Sequence, residues 1–265
     1  MCTISWLVHN DHYEVFFNRD EQKSRVAALP PQLVNHSPTL SLMPIDPVGG
    51  GSWLATTEYG QVIALLNLYQ ADIGEISSEQ QSRGLLVHQL ASFTNWQAQQ
   101  LWLRQLDYNL YRPFSLFIFT PTWHSNKQLK QLLVHQFDWD NQTLQQQQPK
   151  QPFFSSSSVA TQAVLANRHA CYKALGYASG TPTPIQSKSS PLTTRDLLQL
   201  HRSHQPSASA YSICMHREDA QTVSFSHIKI NQQQTEFDYY PDSPCQPHEP
   251  QRFQLKCQVA DIPNA

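Results

Sequence analysis

The 265-residue sequence has no apolar run approaching the ~18 residues that a membrane-spanning helix needs. Its first segment also lacks the basic stretch and long apolar core of a secretion signal, because Asn10-Asp11-His12 interrupts it early. These absences predict a soluble, cytoplasmic protein. Charge is scarce: 14% of residues are charged and the formal net charge is −2. No basic surplus exists to recruit nucleic acid or an anionic membrane, so a small molecule is the expected partner. Oligomeric state has no signature. The five cysteines (Cys2, Cys171, Cys214, Cys245 and Cys257) are scattered, with no CxxC pair and no Cys/His ladder. The twelve histidines show no HxxxH spacing on an expected helix. Neither a disulfide framework nor a metal centre is expected from spacing. Gly49-Gly50-Gly51 lacks the Lys-Ser/Thr that completes a phosphate loop and reads as a tight turn before a strand.

What is present is globular: 40% hydrophobic and 11% aromatic residues, with Gln, Asn, Ser and His supplying a polar surface. The length buries a substantial core, and no internal repeat or boundary divides it, so residues 1–265 read as a single domain. Strands are expected over Thr3–Val8, Tyr13–Phe17, Thr39–Met43, Ser52–Thr57, Gln61–Leu66, Tyr111–Thr120, Leu129–Asp138, Ala210–His216, Thr222–Ile230 and Phe237–Tyr240. Val62–Leu66 is apolar at every position, as a strand buried on both faces would be. Helices are expected from Ser77-Ser78-Glu79-Gln80 through Phe93, over Trp96–Leu106 with Leu101, Trp102 and Leu106 inward, over Thr161–Leu175, and over Thr193–His201. Gln22–Pro38 and the Gln-rich 142–151 stretch read as loops, Ser155–Ser158 as a helix cap, and the tail carries no pattern. Hairpin-joined strands with helices gathered outside make an α+β class, with two stacked, mainly antiparallel sheets between helix layers.

Chemistry concentrates in the first twenty residues. A hairpin from Thr3–Val8 through His9–His12 to Tyr13–Phe17 returns Asn18-Arg19-Asp20-Glu21 to the side of Cys2. Removal of Met1 would leave Cys2 with a free α-amine beside its thiol, a nucleophile with its own base. Arg19 would favour the thiolate, and Asp20 would orient the amine. The competing reading is an incidental cysteine with Met1 retained, and a surface Arg19/Asp20 pair. Adjacent strand residues point to opposite faces, so Arg19 and Asp20 reach one site only across a break or bulge. Asn67 ends an apolar strand, where an amide suits an oxyanion donor or a turn. Arg168 and Arg217 read as solvated, and His216 as a strand residue.

Met1-Cys2-Thr3, Asn18-Arg19-Asp20-Glu21 and Asp46-Pro47-Val48-Gly49-Gly50-Gly51-Ser52-Trp53-Leu54-Ala55 resemble the NRDE family, which includes the transport-and-Golgi-organisation proteins of eukaryotes. Ala64-Leu65-Leu66-Asn67, Ser82-Arg83-Gly84-Leu85-Leu86-Val87, Arg112-Pro113-Phe114-Ser115-Leu116 and residues 210–219 extend the resemblance over nearly the whole chain. That family is similar to the cysteine N-terminal-nucleophile (Ntn) hydrolases, among them the bile-salt and penicillin V hydrolases. The resemblance implies a four-layer α-β-β-α sandwich. It also implies catalytic roles for Cys2, Arg19 and Asn67, with Asp20 as the aspartate although the family's hydrolase relatives separate it from the arginine; Asn18, Ser156 and Arg217 are the expected substrate contacts. Ser156 stands where many relatives carry asparagine. Two functions follow: an amidohydrolase cleaving a linear carbon–nitrogen bond through a Cys2 thioester without cofactor, or a non-catalytic protein handling haem, lipid or acyl-CoA.

Overall fold

The computed structural model describes residues 1–69, 80–176 and 191–258. The first hairpin forms with the expected alternation, β1 (Cys2–Val8) and β2 (Tyr13–Gln22), but β2 runs on past Phe17 through the whole Asn-Arg-Asp motif. Then come β3 (Leu29–Asn35), β4 (Leu40–Ile45), β5 (Leu54–Thr57) and β6 (Val62–Asn67). Helices α1 (Gly84–Leu90) and α2 (Trp96–Gln105) lead to β7 (Phe114–Trp123), β8 (Leu129–Trp139), β9 (Leu144–Gln147) and β10 (Phe153–Ser156). Helices α3 (Thr161–Lys173) and α4 (Thr194–His201) precede β11 (Ala220–Ile230), β12 (Gln234–Tyr240) and β13 (Gln251–Lys256).

The strands form a six-stranded sheet in the order β10-β1-β2-β11-β12-β13 and a seven-stranded sheet β3 through β9 in sequence order. All the strand pairs are antiparallel. Ile4, Trp6, Val15 and Phe17 of the first sheet meet Leu54, Val62, Ala64 and Phe117 of the second in one core. The opposite sides of the same strands serve other cores. Ile63, Leu65, Leu116 and Ile118 pack on α1 and α2, and Phe16 and Phe225 pack on Tyr172, Leu197 and Leu200 of α3 and α4. The period-2 alternation of central strands thus feeds two cores at once, giving the expected α-β-β-α layering. Trp6 meets Phe119 edge-on at 5.3 Å between the sheets.

Several local expectations differ from the structure. Segments read as loop or tail form β3, β9 and β13, all at or beside a sheet edge. Their one-sided pairing leaves Gln145–Gln147 exposed, and Pro30-Pro31 is tolerated at a register shift of edge strand β3. Ser155 and Ser156 belong to β10, which hydrogen-bonds to β1, and do not cap a helix; α3 starts after Ala160 without a side-chain cap. Ala210–His216 is irregular and makes only an isolated bridge from His216 to Gln221. In α2, Leu101 faces solvent and Gln99 is inward, where its amide exchanges hydrogen bonds with Gln61. The capping serines expected at 77–78 lie outside the described residues. The Thr193 cap of α4 is present, with Asp196 completing a capping box.

Two glycine motifs meet at the mouth between the sheets. A Cβ on Gly51 would lie 2.3 Å from the carbonyl carbon of Gly84, and Ser52 N–H donates to the Gly84 carbonyl at 3.1 Å. This contact brings the start of α1, and Arg83 with it, against the segment that leads through Trp53 into β5. Gly51→Ala is therefore expected to lower unfolding free energy by at least about 2 kcal/mol, because backbone must move on both sides. Gly50→Ala meets open space and pays only for its φ of +65°, about 1 kcal/mol. Urea titration of the two variants separates the effects.

Candidate active site

Cys2 stands directly opposite Arg19 in the β1–β2 register, so both side chains lie on the face turned toward the second sheet. The Cys2 thiol belongs to the inter-sheet core and is 8% exposed. The Arg19 guanidinium stacks over the Trp53 ring at 4.2 Å and reaches Glu21 at 3.5 Å. Burial pushes the Cys2 thiol above its ordinary value, while the terminal ammonium, the Asp20 backbone and Arg19 pull it down. At rest the group is a thiol and needs a base.

Asp20 points to the other side of the sheet, toward the helices. There its carboxylate accepts from Thr222 Oγ1 at 2.7 Å and faces the Arg168 guanidinium at 3.5 Å. Regular alternation holds in β2, with no bulge to turn both residues toward Cys2; the register shift lies instead in the neighbouring strand, where β11 slips between Thr222 and Ser224, opposite Asp20 and Arg19. It aims Thr222 at Asp20. Arg168, expected in solvent, is fully buried on α3. Besides Asp20, it donates to Thr3 Oγ1 at 3.2 Å, Ser155 Oγ at 2.9 Å and the Ala210 carbonyl at 3.0 Å. A helix arginine with no nearby acid in sequence gave no sign of this role. Burial raises the Asp20 carboxyl above the usual carboxylate range, against the pull of Arg168, the terminal ammonium and Thr222.

Between these two faces lies the main chain of Cys2. Its N–H donates to Ser156 Oγ at 3.1 Å, and Ser155 Oγ donates to its carbonyl at 3.2 Å. The Met1 amine donates to Tyr69 Oη at 3.3 Å and to the Asp20 carbonyl at 3.4 Å. Asn67 Nδ2 donates to the same Tyr69 oxygen at 2.7 Å. Tyr69, which carries no motif, is thus the link between the terminus and Asn67. The Met1 side chain is buried against Met215 and Ala220, on the Asp20 side. Removing it would free the nitrogen that faces Ser156 and open space beside Asp20. Alternation thus puts Arg19 on the thiol's side and Asp20 on the amine's.

Cys2, Arg19, Asp20 and Asn67 all line a cleft of about 470 Å³. Trp53, whose buried indole N–H has no hydrogen-bond partner among the described residues, forms part of its wall. The rim carries Arg83 and Arg112, which bond the Pro113 carbonyl at 2.7 Å and the Gln80 side chain at 3.1 Å. Among the described residues neither has a carboxylate within ion-pair distance. Burial, and Arg112 beside it, lower the Arg83 pKa. The remaining two candidates stand elsewhere. Asn18 is buried under the helices, donating to the His201 and Ile213 carbonyls at 2.9 and 3.0 Å. Arg217 pairs with Asp219 at 2.7 Å, away from the cleft.

Behind Asn18, His201 is wholly buried between Phe16 and Phe225. With the Asn18 amide fixed by two carbonyls, its oxygen accepts from His201 Nδ1–H at 2.9 Å, and Ser5 Oγ donates to Nε2 at 2.8 Å. Burial, with a smaller push from His227, holds the imidazole pKa down at about 3. The unfolded chain protonates His201 near pH 6.5, so its stabilisation is complete above that pH and is lost as pH falls toward 3. Between pH 6.5 and 4.5 the wild type is expected to lose about 2–3 kcal/mol more than His201→Gln, read by urea titration.

The fold is similar to that of penicillin V acylase from Agrobacterium tumefaciens, with a TM-score of 0.52 and 9% identity over 97% of this chain and 86% of that one. The C2A mutant of conjugated bile acid hydrolase from Clostridium perfringens is also similar, with a TM-score of 0.48 and 12% identity over 97% and 92% of the two chains. No curated protein sequence matches. Among the described residues no helix is long and apolar enough to cross a membrane. The family model for Transport and Golgi organisation 2 matches residues 1–241, and the chain belongs to that family.

Proposed function

We propose that the protein is an N-terminal-nucleophile amidohydrolase that cleaves a linear amide through a thioester on Cys2. The observation carrying this reading is the position of Cys2: its thiol lies in a cleft opposite Arg19, and its main-chain nitrogen lies against Ser156 Oγ. With Met1 removed, that nitrogen is a free amine with an ordinary pKa of about 7.7–8.0. It takes the thiol proton as sulfur attacks the amide carbonyl, and the oxyanion accepts hydrogen bonds from Asn67 Nδ2 or the Trp53 indole. The ammonium then returns its proton to the departing amine as the carbon–nitrogen bond breaks. Water, deprotonated by the same amine, hydrolyses the thioester and restores the thiol. Asp20, anchored by Arg168 and Thr222, holds the ammonium form. Arg83 and Arg112 support a substrate bearing a carboxylate or phosphate next to the scissile amide.

The same two arginines favour a second reading, a binding protein that holds the anionic groups of haem or an acyl-CoA without turnover. Intact mass of the purified protein, followed by incubation with N-acyl amino acids, tests the first. Loss of Met1 and release of free amine are expected; a retained Met1 sinks the mechanism. A haem titration tests the second. An unchanged absorption spectrum would remove haem, and equal binding by Cys2→Ala would remove Cys2 as its ligand.

A further inference from the structure

Four potential metal ligands distant in sequence converge on the helix side of the first sheet. His204 follows α4, Cys214 and His216 lie in the irregular 202–219 connection, and Cys245 lies between β12 and β13. One ligating atom from each lies within 4.8 Å of all the others. Spacing along the chain had given no reason to expect a metal centre; the fold supplies what spacing lacks.

Two of the distances match the edges of a tetrahedral shell. Zinc bound at about 2.3 Å to sulfur and 2.05 Å to nitrogen sets ligand–ligand edges of about 3.3–3.8 Å. His216 Nε2 lies 3.5 Å from Cys214 Sγ and 3.4 Å from Cys245 Sγ. The His204 and His216 rings stand edge-to-face, at 80° and 4.9 Å between centroids. A second observation is independent of this clustering. Among the described residues His204 Nε2 is buried without a hydrogen-bond partner, an arrangement that costs about 1–3 kcal/mol unless something binds there. Cys214 Sγ lies in a fully buried residue, so solvent does not serve that corner either.

We propose that His204, Cys214, His216 and Cys245 form a structural zinc site. Two thiolates and two imidazoles suit Zn²⁺ and exclude the oxygen-seeking Mg²⁺ and Ca²⁺; four protein ligands leave no open position for catalysis. The site ties the 202–219 connection, which lacks regular secondary structure, to the turn after β12. It also reaches the candidate active site through one residue. Between the two ligands Cys214 and His216 lies Met215, whose N–H donates to Thr222 Oγ1 at 2.8 Å, and Thr222 in turn donates to Asp20. Fixing the metal loop therefore fixes the hydroxyl that orients Asp20. The zinc site does not depend on Cys2 reacting.

The test is metal analysis of the full chain purified from zinc-supplemented medium. About one zinc per chain is expected. Exchange with Co²⁺ should give thiolate-to-cobalt charge transfer and the intense visible bands of a tetrahedral site. Cys245→Ser and His204→Gln should each retain at least about tenfold less metal, while Cys171→Ser, outside the cluster, keeps it. Should those variants misfold, the wild-type cobalt spectrum decides by itself. Wild-type protein that takes up neither metal overturns the proposal. So does a Cys214–Cys245 disulfide found by peptide mapping of freshly purified protein, or full zinc content in a folded Cys245→Ser.

Discussion

Replacing Cys2 by alanine is expected to lower amide turnover by at least about 10³-fold while leaving the melting temperature nearly unchanged. The asymmetry follows from the site. The thiol is a small group at the edge of the inter-sheet core, so its loss leaves only a small void, yet among the described residues no other cysteine lines the cleft. Cys2→Ser gives a sharper reading. It retains the geometry and the hydrogen bond to Ser156, but a hydroxyl is far less acidic than a thiol, so acylation should slow and the acyl intermediate should fail to accumulate. Mass spectrometry of quenched reactions checks it: an acyl adduct on the N-terminal peptide of the wild type, absent from both variants. An adduct that survives in Cys2→Ala would move the nucleophile elsewhere.

The second large effect concerns stability. Arg168→Met should destabilise the fold by about 3–5 kcal/mol, because it leaves the buried Asp20 carboxylate without its counter-charge. It also strips a donor from Ser155 and from the Ala210 carbonyl's neighbourhood, where little water reaches. Asp20→Asn in the same background is expected to recover a substantial part of the loss, since a neutral amide still accepts from Thr222. Denaturant titration of the two single variants and the double variant closes the cycle. If the single Arg168→Met variant costs under about 1 kcal/mol, Asp20 is neutral in the folded protein and the ion-pair account fails.

The contrast between these predictions reflects how each group was found. Cys2 and Arg19 are joined by one short hairpin, whose turn length and period-2 alternation fix their register locally. The apolar β6 strand and the Thr193 cap are legible for the same reason, because their signals lie within a few residues. Edge strands β9 and β13 are not, since a strand paired on one side needs little apolar alternation. Arg168 looked like a solvated helix arginine because its acid lies 148 residues away.

What the amino-acid sequence by itself determined is therefore the alternating strands, the α+β class and the pairing of Cys2 with Arg19. Its motifs carried the family. Only the tertiary structure decided the rest: that Asp20 turns from the thiol toward Arg168, that Ser156 meets the Cys2 nitrogen from 154 residues away, and that two histidines and two cysteines gather behind them. The physical reason is separation along the chain. Hydrogen-bond register and turn geometry act over a few residues, whereas the addition of β10 to the edge of β1 and the packing of α3 on that sheet are set by burial of distant apolar faces, which leaves no local pattern for the polar groups carried along with them.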